Sequence, residues 1–182
     1  MVRALFVGRF QPVHMGHMEA INYAMGKADE LVIVIGSAQR SHSLTNPFTA
    51  GERAVMVRAA LNEAGIEPTK YQLIPVPDAV MHSVWVAQVI AYTPPFSIVY
   101  TNEPLTSRLF RECKIYVEGI PFFHRDVYSA TEVRRRMVVG EDWWELLPSS
   151  VAKAIKDIGG VERLRELNTT DREAITSDAR KR

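Results

Sequence analysis

The sequence predicts an α/β fold: a mostly parallel sheet of about five or six strands flanked by helices. Three observations carry this reading. Short apolar runs alternate with helix-length segments along most of the chain, as in βαβ units joined by right-handed crossovers. The runs are apolar throughout rather than every second residue, which suits strands buried on both faces of a parallel sheet. Finally, Gly, His, Ser and Asp follow the ends of successive runs, and open parallel sheets bind ligands outside the carboxyl ends of their strands.

The elements follow in order. Ala4–Val7 is an apolar run closed by Gly8, and helical spacing starts near Gly16 and ends near Lys27. Glu30–Ile35 is the second strand, closed by Gly36. Thr49 and Glu52 have capping-box spacing ahead of a helix from Ala50 to Ala64, with Gly65 as its stop. Tyr71–Val76 is a third strand, broken by Pro75 and Pro77, and Ser83–Ala91 a short helix before Pro94 and Pro95. Phe96–Tyr100 and Ile115–Glu118 are strands on either side of a helix from Leu105 to Glu112. Helices are expected at Thr131–Val138 and Ser150–Ile158. Residues 1–167 read as one domain, and 168–182 as a polar tail without apolar spacing, frayed or disordered.

Composition narrows the function classes. The 182 residues are 47% hydrophobic and 24% charged, which excludes collagen-like, disulfide-scaffold and wholly disordered chains. A domain of this size buries roughly 70% of its unfolded surface. The 22 basic and 21 acidic residues give a net charge of +1, so no nucleic-acid partner is expected, although a local basic pocket fits. The lone Cys113 makes neither an internal disulfide nor a zinc cluster. It is expected as a buried or half-buried small apolar residue. Apolar runs such as Leu31–Ile35 are far short of the ~20 residues that cross a membrane. The N-terminus shows no signal-peptide pattern. A cytoplasmic protein with no membrane partner is expected.

Two motifs carry the chemistry. The first reads GRFQPVHMGH. Gly8 lets a ligand approach the backbone. His14 and His17, three apart at a helix start, share a face beside free amides and a partial positive charge, which makes a phosphate site. Zinc ligation competes poorly, because no third ligand lies nearby in the sequence. The second motif reads YSATEVRRRM. Ser129 and Glu132 have capping-box spacing, opening another helix able to meet an anion. Arg134, in its first turn, offers a guanidinium fork for phosphate oxygens. At least one of Arg135 and Arg136 is expected on a solvated face. No Walker A, GxGxxG, GxSxG or HExxH pattern is present.

GRFQPVHMGH resembles the G-x-F-x-P-x-H-x-G-H signature of the nucleotidyltransferase superfamily. YSATEVRRRM resembles its second signature, with Tyr128, Ser129, Thr131 and Arg134 in register. The segments GSAQRSHS, NPFTAGER and GGVERLREL are similar to archaeal nicotinamide-nucleotide adenylyltransferases, so the resemblance runs from residue 2 to about 167. It implies a Rossmann-like nucleotidyltransferase domain. The implied reaction joins nicotinamide mononucleotide (NMN) and ATP to give NAD and pyrophosphate, with magnesium accompanying ATP. A homo-oligomer, specifically a hexamer, is implied too.

The roles implied by the resemblance follow motif by motif. His14, His17, Arg9 and Arg134 would bind phosphates and stabilise the charge that builds during transfer. Gly8, Phe10, Gln11, Gly16, Gly36, Ser37, Ser129 and Thr131 would contact ATP. Trp85 would stack on the cationic nicotinamide ring, with Asp78 and His82 beside it. No residue is implied as a protein ligand for the metal. The attacking phosphate is already ionised and needs no base, so catalysis would rest on positioning and charge neutralisation. His82 stands where relatives usually show Asn, Asn102-Glu103 replaces Gly-Asn, and Thr45 replaces a residue charged in several relatives. Two other readings remain at this stage. One is transfer to another small phosphate such as phosphopantetheine, against which Trp85 and the GSAQ segment argue. The other is a non-catalytic nucleotide sensor, against which intact His14, His17 and Arg134 argue.

Overall fold

The computed structural model describes residues 1–121 and 127–179, with side chains as far as residue 170. Its strands are β1 (Arg3–Gly8), β2 (Glu30–Ile35), β3 (Tyr71–Pro75), β4 (Ile98–Tyr100) and β5 (Tyr116–Glu118). They form one sheet in the order β3-β2-β1-β4-β5, and every pairing is parallel. The helices are α1 (Met15–Met25), α2 (Ala50–Glu63), α3 (His82–Tyr92), α4 (Pro104–Glu112), α5 (Ala130–Val139), α6 (Ser149–Asp157) and α7 (Gly160–Ala179).

Strand alternation divides the core in two. Ala4, Phe6, Leu31, Ile33 and Ile35 face the layer that includes α1, α2, α5, α6 and Leu164 of α7. Leu5, Val32, Val34 and Val99 face Val86 and Val89 of α3 and Phe110 of α4. Both faces of β2 are therefore covered, which is why its residues read as one uninterrupted apolar run.

The order of the strands makes the crevice. From β1 the chain moves outward on one side through β2 and β3, then returns to pair β4 on β1's other edge. The loops after β1 and β4 thus diverge to opposite faces and leave a gap at their carboxyl ends. Every site motif of the sequence lies on loops at that end.

Two expectations need correction. Cys113 is exposed at the carboxyl end of α4, because the stripe that α4 buries is centred on Phe110 and leaves the helix end in solvent. The chain also stays helical through Asn168, where a tail was expected to begin, as far as Ala179. The Gly159-Gly160 pair separates two helices. Gly159, at φ 63°, ends α6, and α7 begins at the next residue. A Cβ on Gly160 would stand 2.9 Å from Phe48 Cε1, so this glycine lets α7 start against the core.

Helix α7 is tied to the start of α2. Thr49 and Glu52 form the expected box: Thr49 Oγ1 accepts from Glu52 N–H at 3.2 Å, and Glu52 Oε2 accepts from Thr49 N–H at 2.9 Å. Arg163 then grips the same carboxylate through Nη1 and Nη2, both at 2.8 Å. The Arg163 pairing, with the Thr49 bonds, draws Glu52 down to about 2 despite partial burial. Bidentate, charge-assisted bonds of this kind contribute roughly 1.5–3 kcal/mol. Arg163→Ala is expected to lower the unfolding free energy by that amount, read as a lower urea midpoint at unchanged slope. A shift within error of zero would show that α7 contributes nothing to α2.

Candidate active site

Three cavities meet around the carboxyl end of β1. The first, of about 300 Å³, is lined by Phe6, Val7, His14, Gly16, His17, Ala20, Thr101, Ile120 and Tyr128, among others. The second, of about 190 Å³, lies over Arg9, Phe10, Gln11, His14, His17, Thr131 and Arg134. The third, of about 710 Å³, lies on β1's other side and holds Gly8, Arg9, Gly36, Ser37, Asp78, His82 and Trp85. His14 and His17 belong to the first and second cavities. Arg9 belongs to the second and third. A chamber of mixed apolar and polar lining, a cationic chamber and a chamber with an indole wall therefore share these three residues at their junctions.

The histidines are set by the start of α1. His14 is its N-cap residue and His17 its third helical residue. The rings pack on each other with centroids 3.8 Å apart, and Phe10 closes the other side of His17 at 4.8 Å. The backbone N–H of His14 donates to His17 Nδ1 at 3.3 Å. That bond requires an unprotonated Nδ1, so neutral His17 carries its proton on Nε2 and can donate there. Burial pushes His14 down to about 4, helped by the Arg134 charge. Enclosure holds His17 well below 6.5, and His14 adds to this. Both are neutral donors at pH 7.

The positive charge comes from arginines. Arg134 is anchored by Nη1 donating to the Gln11 carbonyl at 2.8 Å. Burial, with Arg9 nearby, lowers it to about 10, which leaves it charged. It stands at the fifth position of α5, since Ser129 is the N-cap and Ala130 begins the helix, not in the first turn. Only half of the expected box forms there. Ser129 Oγ accepts from Glu132 N–H at 3.2 Å, but the Glu132 carboxylate is held by Arg135 and Arg136. Both of those arginines are spent on ion pairs, so Arg134 alone of the three lines the cationic cavity.

Other expected residues also hold the site together. The Gln11 side chain is buried: Nε2 donates to the Phe48 carbonyl at 2.9 Å and Oε1 accepts from Phe48 N–H at 3.0 Å. Only its main chain is left for the site. Phe10 is 1% exposed and packs over Gly8, where a Cβ would stand 2.8 Å from its ring. Gly8 thus makes room for Phe10 as well as lining the third cavity. Gly36 and Ser37, expected on ATP, line the cavity that holds Trp85. Asp78 lies there too, with its oxygens taken by Ser37 Oγ at 2.8 Å, Gln39 Nε2 at 3.1 Å and Arg40 Nε at 2.8 Å. Partial burial raises the Asp78 carboxyl, but these three donors outweigh it and leave it an anion. Trp85 is half-buried, edge-on to Phe110 with centroids 5.6 Å apart, and His82 is exposed at the start of α3.

Sequence reasoning missed Arg53 and Arg40, and it noted Asn102 as a departure from relatives without finding its partner. Arg53 is buried beneath the loops, Arg40 pairs with Asp78, and Asn102 pairs with both main-chain groups of Ile120. Only Arg53 had a visible signal, a cation on the apolar spacing of α2. No helix of the described residues is long and apolar enough to cross a membrane.

A parallel sheet with imidazole and guanidinium donors around its switch point, and no nucleophile among them, suits transfer of a phosphate-linked group. Residues 5–136 match the family described as Cytidylyltransferase-like, and the chain belongs to it. Over 93% of its length it is 49% identical to the nicotinamide-nucleotide adenylyltransferase of Archaeoglobus fulgidus, of which the match covers 99%. It is 51% identical to that of Pyrococcus horikoshii, over 93% of this chain and 90% of the other. Within the wider family it is a member of the nicotinamide-nucleotide adenylyltransferases. A bifunctional NMN adenylyltransferase/ADP ribose pyrophosphatase from Francisella tularensis has the same fold, with a TM-score of 0.78 at 22% identity. The match covers 98% of this chain and 56% of that one.

The neutral histidines make stability pH-dependent. An unfolded histidine protonates near 6.5, whereas folded His14 resists protonation until about 4. The unfolded state therefore binds more protons in that window, and stability falls as pH drops through it. His14 alone contributes a slope of up to about 1.4 kcal/mol per pH unit. Urea midpoints measured across the window should decline less steeply for His14→Gln. Equal slopes would mean that His14 is protonated in the folded protein.

Proposed function

We propose that the chain transfers the adenylyl group of ATP to nicotinamide mononucleotide, releasing pyrophosphate and forming NAD. The observation that carries this reading is the junction of three cavities at His14, His17 and Arg9. The first chamber, with Phe6, Ile120 and Tyr128 beside Thr101 and Asn102, suits the adenosine. The cationic chamber, with Arg134, suits the triphosphate, and the Trp85 chamber suits the mononucleotide. The α-phosphorus, bonded to the adenosine 5′-oxygen and the β-phosphate, then lies where the three chambers meet.

A 5′-phosphate oxygen of the mononucleotide attacks the α-phosphorus, forming a P–O bond. The bond from the α-phosphorus to the bridging oxygen breaks, and pyrophosphate leaves with its electron pair. His17 donates from Nε2 to a non-bridging oxygen, where charge is building. His14 stands beside it. Arg9 spans both substrates and brings two anions together. Arg134, held by Gln11 and Thr131, takes the departing phosphates. No proton has to move, so neutral imidazoles and fixed arginines suffice.

Magnesium enters, in this proposal, on the triphosphate oxygens as part of the substrate, since among the described residues no three His, Cys, Asp or Glu side chains gather as a metal cage. Such a mode is usual for magnesium, which keeps several waters and binds through phosphates. We also propose a cytoplasmic homo-oligomer, a hexamer as the resemblance implies. Val80, Met81, Val84, Ile90 and Tyr92 of the α3 region support this as an exposed apolar group.

The direct test supplies ATP, magnesium and nicotinamide mononucleotide and follows NAD through a coupled dehydrogenase. NAD formation is expected. Pyrophosphate release only with another phosphorylated acceptor would overturn the choice of substrate. His17→Ala should lower kcat by about 10²–10³, or roughly 2.7–4 kcal/mol, as loss of an oxyanion donor does. A near-normal kcat would remove His17 from the transition state. Trp85→Ala should raise KM for the mononucleotide and leave KM for ATP nearly unchanged. If the two rise together, Trp85 is not the stacking partner.

A further inference from the structure

One buried cation lies outside the mechanism. Arg53 of α2 is 0% exposed. Its Nη1 donates to the Arg9 carbonyl at 2.8 Å and to the Gly36 carbonyl at 2.7 Å. Nη2 donates to the Ser37 carbonyl at 3.1 Å, and Nε to the Thr49 carbonyl at 3.2 Å. One guanidinium therefore joins the loop after β1, the loop after β2 and the start of α2, through main-chain oxygens alone.

Both loops need such a tie. Phe10 and Ser37 hold φ values of 51° and 50°, a left-handed conformation that side-chain-bearing residues adopt only when their surroundings over-determine it. Each lies beside or on a carbonyl that Arg53 holds. The tied residues also carry the site: Arg9 lines the cationic and indole-walled cavities, and Ser37 fastens Asp78. Burial lowers Arg53 to about 10 while Asp78 favours its charge, so it stays a cation beneath the loops. A lysine ammonium places its donors at one point and cannot span carbonyls on three segments.

We infer that Arg53 is a positioning residue for adenylyl transfer, fixing Arg9 against Ser37 so that the two substrates meet at the correct separation. The inference rests on the adenylyltransferase reading and carries its own substrate-free test. Arg53→Lys keeps charge and stem; Arg53→Gln keeps a donor without charge and serves if the lysine variant fails to fold.

In the substrate-free protein, amide hydrogen exchange should quicken in segments containing Arg9–Gln11 and Gly36–Arg40, and stay unchanged in β2 and α6. No change in those two loops, or an even rise everywhere, overturns the inference whether or not the wild type turns over. An inactive wild type would instead count against the substrate reading. With ATP and mononucleotide, kcat should fall about 100-fold, the effect of displacing a reacting group by ~1 Å, with smaller changes in either KM. If Arg53 acts through Arg9, the loss should shrink in an Arg9→Ala background. A full, additive loss there, or a lowered Tm at unchanged kcat, would reduce Arg53 to a stability role.

Discussion

Everything at the site depends on β1 being paired on both edges. It is the first strand of the chain and the middle strand of the sheet, so β2 and β4 both extend from it in parallel. Because the chain leaves β1 toward one edge and comes back to the other, the loops at its carboxyl end cannot close over each other. The gap is therefore a property of connectivity, not of any one loop. Packing only has to bring the right side chains to its rim.

What it brings is a division of labour between charge and hydrogen bonding. The imidazoles are walled in by Phe10 and by each other, so they remain uncharged and act as oriented donors. The guanidiniums supply the field, since burial lowers Arg134 yet leaves it ionised at neutral pH. A site with protonated histidines beside Arg9 and Arg134 would repel itself before a ligand arrived. Neutral donors avoid that cost, and in the proposed reaction they would still stabilise oxygens on which charge accumulates.

Local signals are legible in the sequence. The buried β2 run, the Thr49–Glu52 box and the spacing of His14 and His17 each depend on neighbours within four residues, and each forms. The motif residues do reach one crevice, as strand-end positions imply. Less legible was which motif residues face the ligand. Gln11 belongs to the motif, yet its amide is spent on Phe48, 37 residues away in sequence. Gly8 is required by the ring two residues on, and Asp78 is committed to three donors of the preceding loop. The Ser129 box formed only by half because Arg135 and Arg136 competed for Glu132. Arg53 showed only as a cation on the apolar spacing of α2; its partners are carbonyls of residues up to 44 apart, and main-chain oxygens have no sequence signature. Cys113 and α7 failed for a similar reason. Whether a surface cysteine is covered, or a polar helix docks, depends on what lies opposite.

The link from α7 to α2 has a further meaning for how the protein is made. Arg163 reaches the Glu52 carboxylate that caps α2, and α2 carries the guanidinium tying the loops after β1 and β2. All strands and every residue assigned to the crevice precede α7 in the chain. During synthesis the sheet can assemble while α7 is still inside the ribosome, but the α2 cap then lacks its clamp. The rim of the crevice is thus held less firmly until α7 docks, and nascent chains still lacking α7 should present the loops after β1 and β2 in a looser state than the sheet beneath them.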